Sequence, residues 1–304
     1  MPLYKLLSYQ ADHGPRSGML IGDQVYDIAE MTGRDAFALI DHILRDWSMA
    51  EPLLDAAAEA PSGIPRALAD VRLLAPVLRP GAIYCAGANY QDHIDNMARM
   101  RNVDMGEKLR DLGLPPYHFM KSPHCVVGTD FRVIIDSRAL DYEGELAAVI
   151  GRDAFDVAAA DALNHVAGYT VANDMSARDR FMRPGIPMES PFRYDWIGHK
   201  NFDGSCPTGP FLVPAKFIRD PQDLRLRTWV NGEMRQDSST ANMIFSLAEL
   251  IAALSRNITL RPGDLVLTGT PAGVAAETGN FLKVGDLVKV EIESIGAIQN
   301  EVGS

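Results

Sequence analysis

The sequence has 304 residues, 47% of them hydrophobic and 23% charged, which is enough apolar material for a full core and too much for a disordered chain. Its formal net charge of −11 argues against nucleic acid and against anionic membrane surfaces as partners. Cys85, Cys125 and Cys206 are far apart and lack C-x-x-C or zinc-type spacing, the start of the chain lacks the apolar core of a signal peptide, and no run is long enough to span a membrane. The expectation is a cytoplasmic protein without structural disulfides.

Residues 1 to about 75 read as a small N-terminal α/β domain. Residues 4–9 and 19–28 have strand character, the second stretch around a Gly22-Asp23 turn. Phe37, Ile40, Leu44 and Trp47 recur at helical spacing, and Pro52 suits the first turn of a helix over 51–60, which a Pro-Ser-Gly run at 61–65 ends. Nothing here has catalytic character, so packing or dimer contact is the expected role. Residues 74–81 mark the crossing into a main domain over 76–304, and 82–86 reads as a buried strand leading to Gly87-Ala88-Asn89-Tyr90. Next comes a stretch with Met97, Met100, Met105, Arg99, Arg101, Lys108, Arg110 and Gly106 ahead of a strand at 118–121. It reads as a helical flap, a lid over about 91–117.

The next stretch is Leu140-Asp141-Tyr142-Glu143-Gly144-Glu145-Leu146. Residues two apart on a strand face the same side, so Glu143 and Glu145 would present paired carboxylates, with Gly144 keeping the space between them open. Asp174 follows a second strand-like run at 166–171. Close carboxylates repel unless a proton or a cation intervenes. With no Cys or His beside them, the three acids form an all-oxygen set suited to Mg²⁺, Mn²⁺ or Ca²⁺, leaving positions for water or substrate. Further on, Leu224, Leu226, Thr228 and Val230 alternate up to an Asn231-Gly232 hairpin turn. Ile244, Leu247, Ile251 and Leu254 mark an amphipathic helix, and 265–268 and 287–292 read as strands. Many short strands with few helices predict a strand-rich α+β fold, a sandwich or roll; no G-x-G-x-x-G follows a strand, which counts against a dinucleotide fold.

Gly87-Ala88-Asn89-Tyr90-Gln91-Asp92-His93, Asp141-Tyr142-Glu143-Gly144-Glu145-Leu146, Asn173-Asp174-Met175-Ser176-Ala177-Arg178-Asp179, Lys200-Asn201-Phe202-Asp203 and Thr268-Gly269-Thr270-Pro271-Ala272-Gly273-Val274 occur in that order. Together, over residues 81 to 290, they resemble the fumarylacetoacetate hydrolase (FAH) superfamily. The resemblance implies an FAH-like mixed β-sandwich roll, a homodimer, and Mg²⁺ or Mn²⁺ held by Glu143, Glu145 and Asp174, the same three acids that the chemistry selects. It also implies a 2-oxo acid substrate, bound with the help of Tyr90, Lys121, Lys200 and Thr270.

His93 is the natural general base, because imidazole exchanges a proton near neutral pH. In the superfamily the corresponding histidine pairs with a glutamate one helical turn later; this chain has Asn96 there, and neither Asp92 nor Asp95 shares a helical face with His93. Restoring the acid by Asn96→Glu would rebuild that dyad. Lys200 stands out as a catalytic cation, within Gly198-His199-Lys200-Asn201-Phe202-Asp203. The fork of Arg178 suits a substrate carboxylate or a pair with Asp179. Arg180-Phe181 replaces a glutamine that many superfamily members carry, and a Pro- and aromatic-rich insertion at 183–196 would shape the far end of the pocket or a dimer contact.

The leading expectation is a metal-dependent hydrolase that cleaves a C–C bond in a 2,4-dioxo acid of the acylpyruvate or fumarylpyruvate type through an enolate. Its rivals are an oxaloacetate-type decarboxylase, a hydratase or isomerase of oxo-dienoates, and a catalytically silent dimeric metal-binding module. Asn96 feeds the decarboxylase reading, since decarboxylation needs no activated water.

Overall fold

The strand that carries the paired acids continues as Leu146-Ala147-Ala148-Val149-Ile150, apolar on both faces, and the structure buries it on both. The structure, a computed structural model, describes residues 3–101 and 110–304. Of the expected lid, residues 91–101 form the helix Gln91–Arg101, while Met105, Gly106 and Lys108 lie outside the described residues.

Among the described residues, twelve strands form the main sheet. Gly144–Ile150 lies near its middle, between the antiparallel strands Val166–Asn173 and Leu265–Leu267. Ile83–Ala86 follows parallel to Leu265–Leu267, and His118–Lys121 forms that edge. On the other side Val166–Asn173 pairs with Cys206–Pro214, and Cys206–Pro214 with Lys5–Ala11 of the N-terminal residues. A second sheet of five strands runs in the order Glu233–Ser239, Arg225–Val230, Leu287–Ile292, Gly296–Gly303, Arg132–Ile134. This is the strand-rich mixed sandwich that the sequence predicts.

Alternation along the central strand sorts the core into two layers. Leu146, Ala148 and Ile150 pack with Leu226, Val290 and Ile292 of the second sheet and with Leu250 and Ile251. Ala147 and Val149 face the N-terminal helices through Ile40, Leu44, Trp47 and Leu54. Each fully buried aliphatic side chain contributes about 1.5–3 kcal/mol relative to exposure, so both layers hold the acid-bearing strand in place.

Local signals account for the boundaries. Asn231 and Gly232 both take left-handed φ, 53° and 81°, as a two-residue hairpin turn requires. The helix Leu247–Ser255 starts at a capping box in which Ser246 Oγ accepts from Glu249 N–H and the Glu249 carboxylate accepts from Ser246 N–H. Ile244 therefore falls before the helix. The expected helix over 51–60 begins instead at Trp47: Asp46 Oδ1 accepts from Met49 N–H at 3.2 Å, and Pro52 lies inside Trp47–Glu59. The cap, with the burial of Trp47 and Ala50, outweighs the proline's preference for the first turn. Among the described residues no helix is long and apolar enough to cross a membrane.

Candidate active site

Register brings the three acids together. Gly144 lies opposite Asn173, Glu143 N–H donates to Asn173 Oδ1 at 2.9 Å, and Asp174 N–H donates to the Glu143 carbonyl at 2.9 Å. Glu143, Glu145 and Asp174 are all buried, and each offers a carboxylate oxygen within 4.8 Å of the other two. Gly144 has a different role from the one its sequence position indicated. A Cβ there would meet Thr228 Oγ1 at 2.5 Å and Val290 Cγ1 at 2.9 Å, so the glycine admits the second sheet on the face opposite the acids.

Three buried or half-buried cations close over the acids. Lys121, at the end of its edge strand, donates from Nζ to Asp174 Oδ1 at 2.6 Å and to the Met175 carbonyl at 3.1 Å. Lys200, at the end of the short helix Trp196–Lys200, bridges Glu143 Oε2 and Asp174 Oδ2, both at 2.7 Å. Arg178 donates to Asp141 Oδ2 at 2.9 Å and contacts Glu143 Oε1. It does not pair with Asp179, whose carboxylate accepts from Ser137 Oγ and Arg138 N–H. Burial alone would raise the Glu143 carboxyl, but Lys200 and Arg178 hold it well below the usual carboxylate range. In return, burial notwithstanding, Asp174 and Glu143 push the Lys200 ammonium above its ordinary value.

Glu145 is the exception. Its Oε2 accepts from Gly269 N–H at 2.8 Å, and no cation contacts it among the described residues. Burial, then Asp174 and Glu143, push its carboxyl well up. Tyr90 is fully buried, its Oη has no hydrogen-bond partner among the described residues, and burial together with the charge of Glu145 raises its hydroxyl. A buried acid without a counter-charge, two further carboxylates beside it and an unpartnered hydroxyl nearby fit a hard divalent ion carrying an oxygen-bearing ligand.

The carboxylate partner of His93 comes from a remote part of the chain. His93 Nδ1 lies 2.5 Å from Glu277 Oε1, and Glu277 Oε2 accepts from Asn96 Nδ2 and from Gly273 N–H, both at 2.9 Å. Burial would raise the Glu277 carboxyl, but the bonds from His93, Gly273 and Asn96 bring it below its ordinary value. An ionised Glu277 makes Nδ1–H the donor and leaves Nε2 with its lone pair. Glu277 sits on the turn Ala275–Thr278, which Asp141 anchors by accepting from Ala275 N–H at 2.6 Å and Ala276 N–H at 3.1 Å. His93 is close enough for its charge to lower the Glu143 carboxyl. Sequence reasoning missed Glu277, because its only signal is a lone acid shortly after Thr270-Pro271-Ala272-Gly273.

Thr270 is buried beside the acids, where its hydroxyl donates to the Gly144 carbonyl at 2.9 Å and Gln236 Nε2 donates to it at 2.8 Å. Lys200 Nζ sits 5.0 Å from the Phe119 ring centre, and Phe119 stacks on Trp196. The insertion thus contributes an aromatic wall next to Lys200. A cavity of about 1230 Å³ opens elsewhere, against the N-terminal strands near Tyr9 and Arg16, and contains none of these side chains.

Comparison with known proteins adds to this geometry. Residues 82–303 match the family model described as fumarylacetoacetate (FAA) hydrolase C-terminal. The chain is 37% identical over 307 residues to the mitochondrial oxaloacetate tautomerase FAHD2B of Bos taurus, covering 98% of this chain and 91% of that protein. It is 40% identical over 242 residues to oxaloacetate tautomerase YisK of Bacillus subtilis, covering 78% and 74% of the two chains. The crystal structure of maleylpyruvate hydrolase from Sphingobium sp. SYK-6, in complex with manganese(II) and pyruvate, superposes with a TM-score of 0.75 at 27% identity, over 98% of each chain.

Proposed function

The chain belongs to the fumarylacetoacetate hydrolase family, and from that membership we propose that it is a divalent-metal-dependent keto–enol tautomerase of an oxaloacetate-like 2-oxo dicarboxylic acid. The observation that carries the reading is the His93–Glu277 pair poised beside the buried acids Glu143, Glu145 and Asp174. The activity named for the relatives FAHD2B and YisK supports it.

Tautomerisation moves one proton between carbon 3 and the 2-oxygen. His93 Nε2 takes the proton as the C3–H bond breaks, the electron pair shifts toward the 2-oxygen, and the proton is delivered there, so the atoms balance without water. Glu277 holds the Nδ1–H and stabilises the imidazolium that forms in between. Glu143, Glu145 and Asp174 would hold Mg²⁺ or Mn²⁺, which when bound would supply Lewis-acid charge at the substrate's 2-oxo group. The Tyr90 hydroxyl, unpartnered among the described residues, would donate to a substrate oxygen, and a dication added to acids already offset by Lys200, Lys121 and Arg178 would leave the site net positive for a dianionic substrate.

The same pair would equally activate a water, so cleavage of a C–C bond in a 2,4-dioxo acid of the acylpyruvate or fumarylpyruvate type is the second reading. The likeness to a maleylpyruvate hydrolase favours it. Exposed Met182, Met188, Phe192 and Ile197 around the insertion suit a homodimer contact, which light scattering checks. The deciding experiment supplies Mn²⁺ and enol-oxaloacetate, follows decay of the enol absorbance, and assays pyruvate in parallel; acylpyruvates are tested alongside. Faster enol decay without pyruvate is the expected result. Acylpyruvate cleavage with no effect on enol decay would overturn the tautomerase reading in favour of the hydrolase.

A further inference from the structure

Residues three apart on a helix share a face, and on Gln91–Arg101 that places His93, Asn96 and Arg99 in one row. Asn96 Nδ2 donates to Glu277 Oε2 at 2.9 Å, and Arg99 Nη2 contacts Asn96 Oδ1. A guanidinium can only donate, so this contact turns the amide oxygen toward Arg99 and the NH₂ toward Glu277. Gly273 N–H and His93 Nδ1–H supply the other bonds to the carboxylate. Every polar partner of the Glu277 carboxylate among the described residues is therefore a donor.

Resting on the reading of His93 as the base, we infer that Asn96 is a positioning residue whose amide keeps Glu277 ionised and aimed at His93, and that positions 96 and 277 have room for only one acid between them. A carboxylate at 96 would face the Glu277 carboxylate at hydrogen-bond distance. Like charges that close force one acid to take a proton or turn away, and the aim of the imidazole is lost with it. Among the described residues Arg99, which already contacts residue 96, is the one cation beside such a pair, and it does not reach the Glu277 carboxylate directly. Asp92 on the same helix is spent on Ser238 Oγ and Ala272 N–H, and Glu143 across the site is an acid itself. Tyr142 donates its hydroxyl to the Gly273 carbonyl, Arg235 presents its carbonyl to Gly273, and Arg99 reaches Glu277 only through Asn96. The fold thus reverses the sequence expectation: Asn96→Glu adds a competing acid where the dyad is already complete.

The test uses the full chain with Mn²⁺ and enol-oxaloacetate, and follows the Glu277 carboxyl by ¹³C NMR without substrate. Asn96→Glu should lower kcat/KM at least about tenfold. It should also move both the acidic limb of the kcat/KM profile and the Glu277 titration to higher pH, because two facing carboxylates hold a proton between them. Asn96→Glu combined with Glu277→Gln, which moves the single acid to the helix, should recover activity above Glu277→Gln alone. Wild-type activity and an unshifted titration in Asn96→Glu would overturn the inference, as would a double variant no better than Glu277→Gln. If Asn96→Glu does not fold, Asn96→Ala carries the test: losing a donor makes the Glu277 carboxyl easier to protonate, so its titration must still move to higher pH, and an unchanged one refutes the role. Failure of the functional reading looks different, since the wild-type chain would then leave enol decay unchanged while the NMR arm still reports on Asn96.

Discussion

Replacing Lys121 by methionine separates two effects of one buried charge. Lys121 Nζ is 2.6 Å from Asp174 Oδ1, and neither side chain is exposed. Methionine nearly matches the lysine stem, so little cavity cost is added. Removing one partner of a buried ion pair costs about 3–5 kcal/mol. The low end applies here, because Lys200 still neutralises Asp174 Oδ2 from 2.7 Å. About 3 kcal/mol corresponds to a fall of roughly 5 °C in the metal-free melting temperature of a chain this size. Divalent binding should move the other way. A positive charge within roughly 5 Å of a dication opposes it by more than the 1.4 kcal/mol that makes a tenfold change, so Lys121→Met should tighten Mn²⁺ by about tenfold or more. Differential scanning fluorimetry of the metal-free protein and isothermal titration with Mn²⁺ read the two effects. An unchanged melting temperature together with weaker Mn²⁺ binding would refute the claim that Lys121 acts as a counter-charge in a metal-binding acid cluster.

Glu145→Gln should have the opposite signature: metal-free stability unchanged or higher, since a buried acid without a cation is neutralised, and Mn²⁺ affinity lower by about a hundredfold or more, read by the same titration. Gly273→Ala places a Cβ 2.0 Å from the Arg235 carbonyl at a φ of +106°, so the loop that supplies an N–H to Glu277 must shift. Roughly 2–3 kcal/mol of stability and most of the activity should be lost, as measured by thermal melts and turnover. Burial, then Lys200 and Arg178, lower the pKa of His199 to about 4. The unfolded chain therefore binds this proton first, and the contribution of His199 is complete above an unfolded pKa of about 6.5 and is lost as pH falls toward 4. His199→Gln should flatten the acid side of the stability profile between those values, and an unchanged slope would contradict the assignment.

The sequence by itself determined the class of the fold and most of the charged site. Apolar runs such as 144–150 can only be buried on both faces, the Asn231-Gly232 turn demands left-handed backbone, and Glu143 and Glu145 share a face through the period of two; these are local rules that need no knowledge of distant residues. The motifs carried Asp174, Lys200 and Arg178, the family resemblance added Lys121, and the structure brings the four together. Only the tertiary structure decided how their charges are shared. Arg178 turned from Asp179 to Asp141 and Glu143, and Glu145 was left without a cation in contact among the described residues. It also decided that Gly144 yields space to the second sheet, and that the partner of His93 is Glu277 and not a residue of its own helix. His93 and Glu277 lie 184 residues apart in the chain. No periodicity reaches across that interval, and the two meet because Asp141, itself beside the metal-type acids, pins the turn that carries Glu277 against the helix that carries His93.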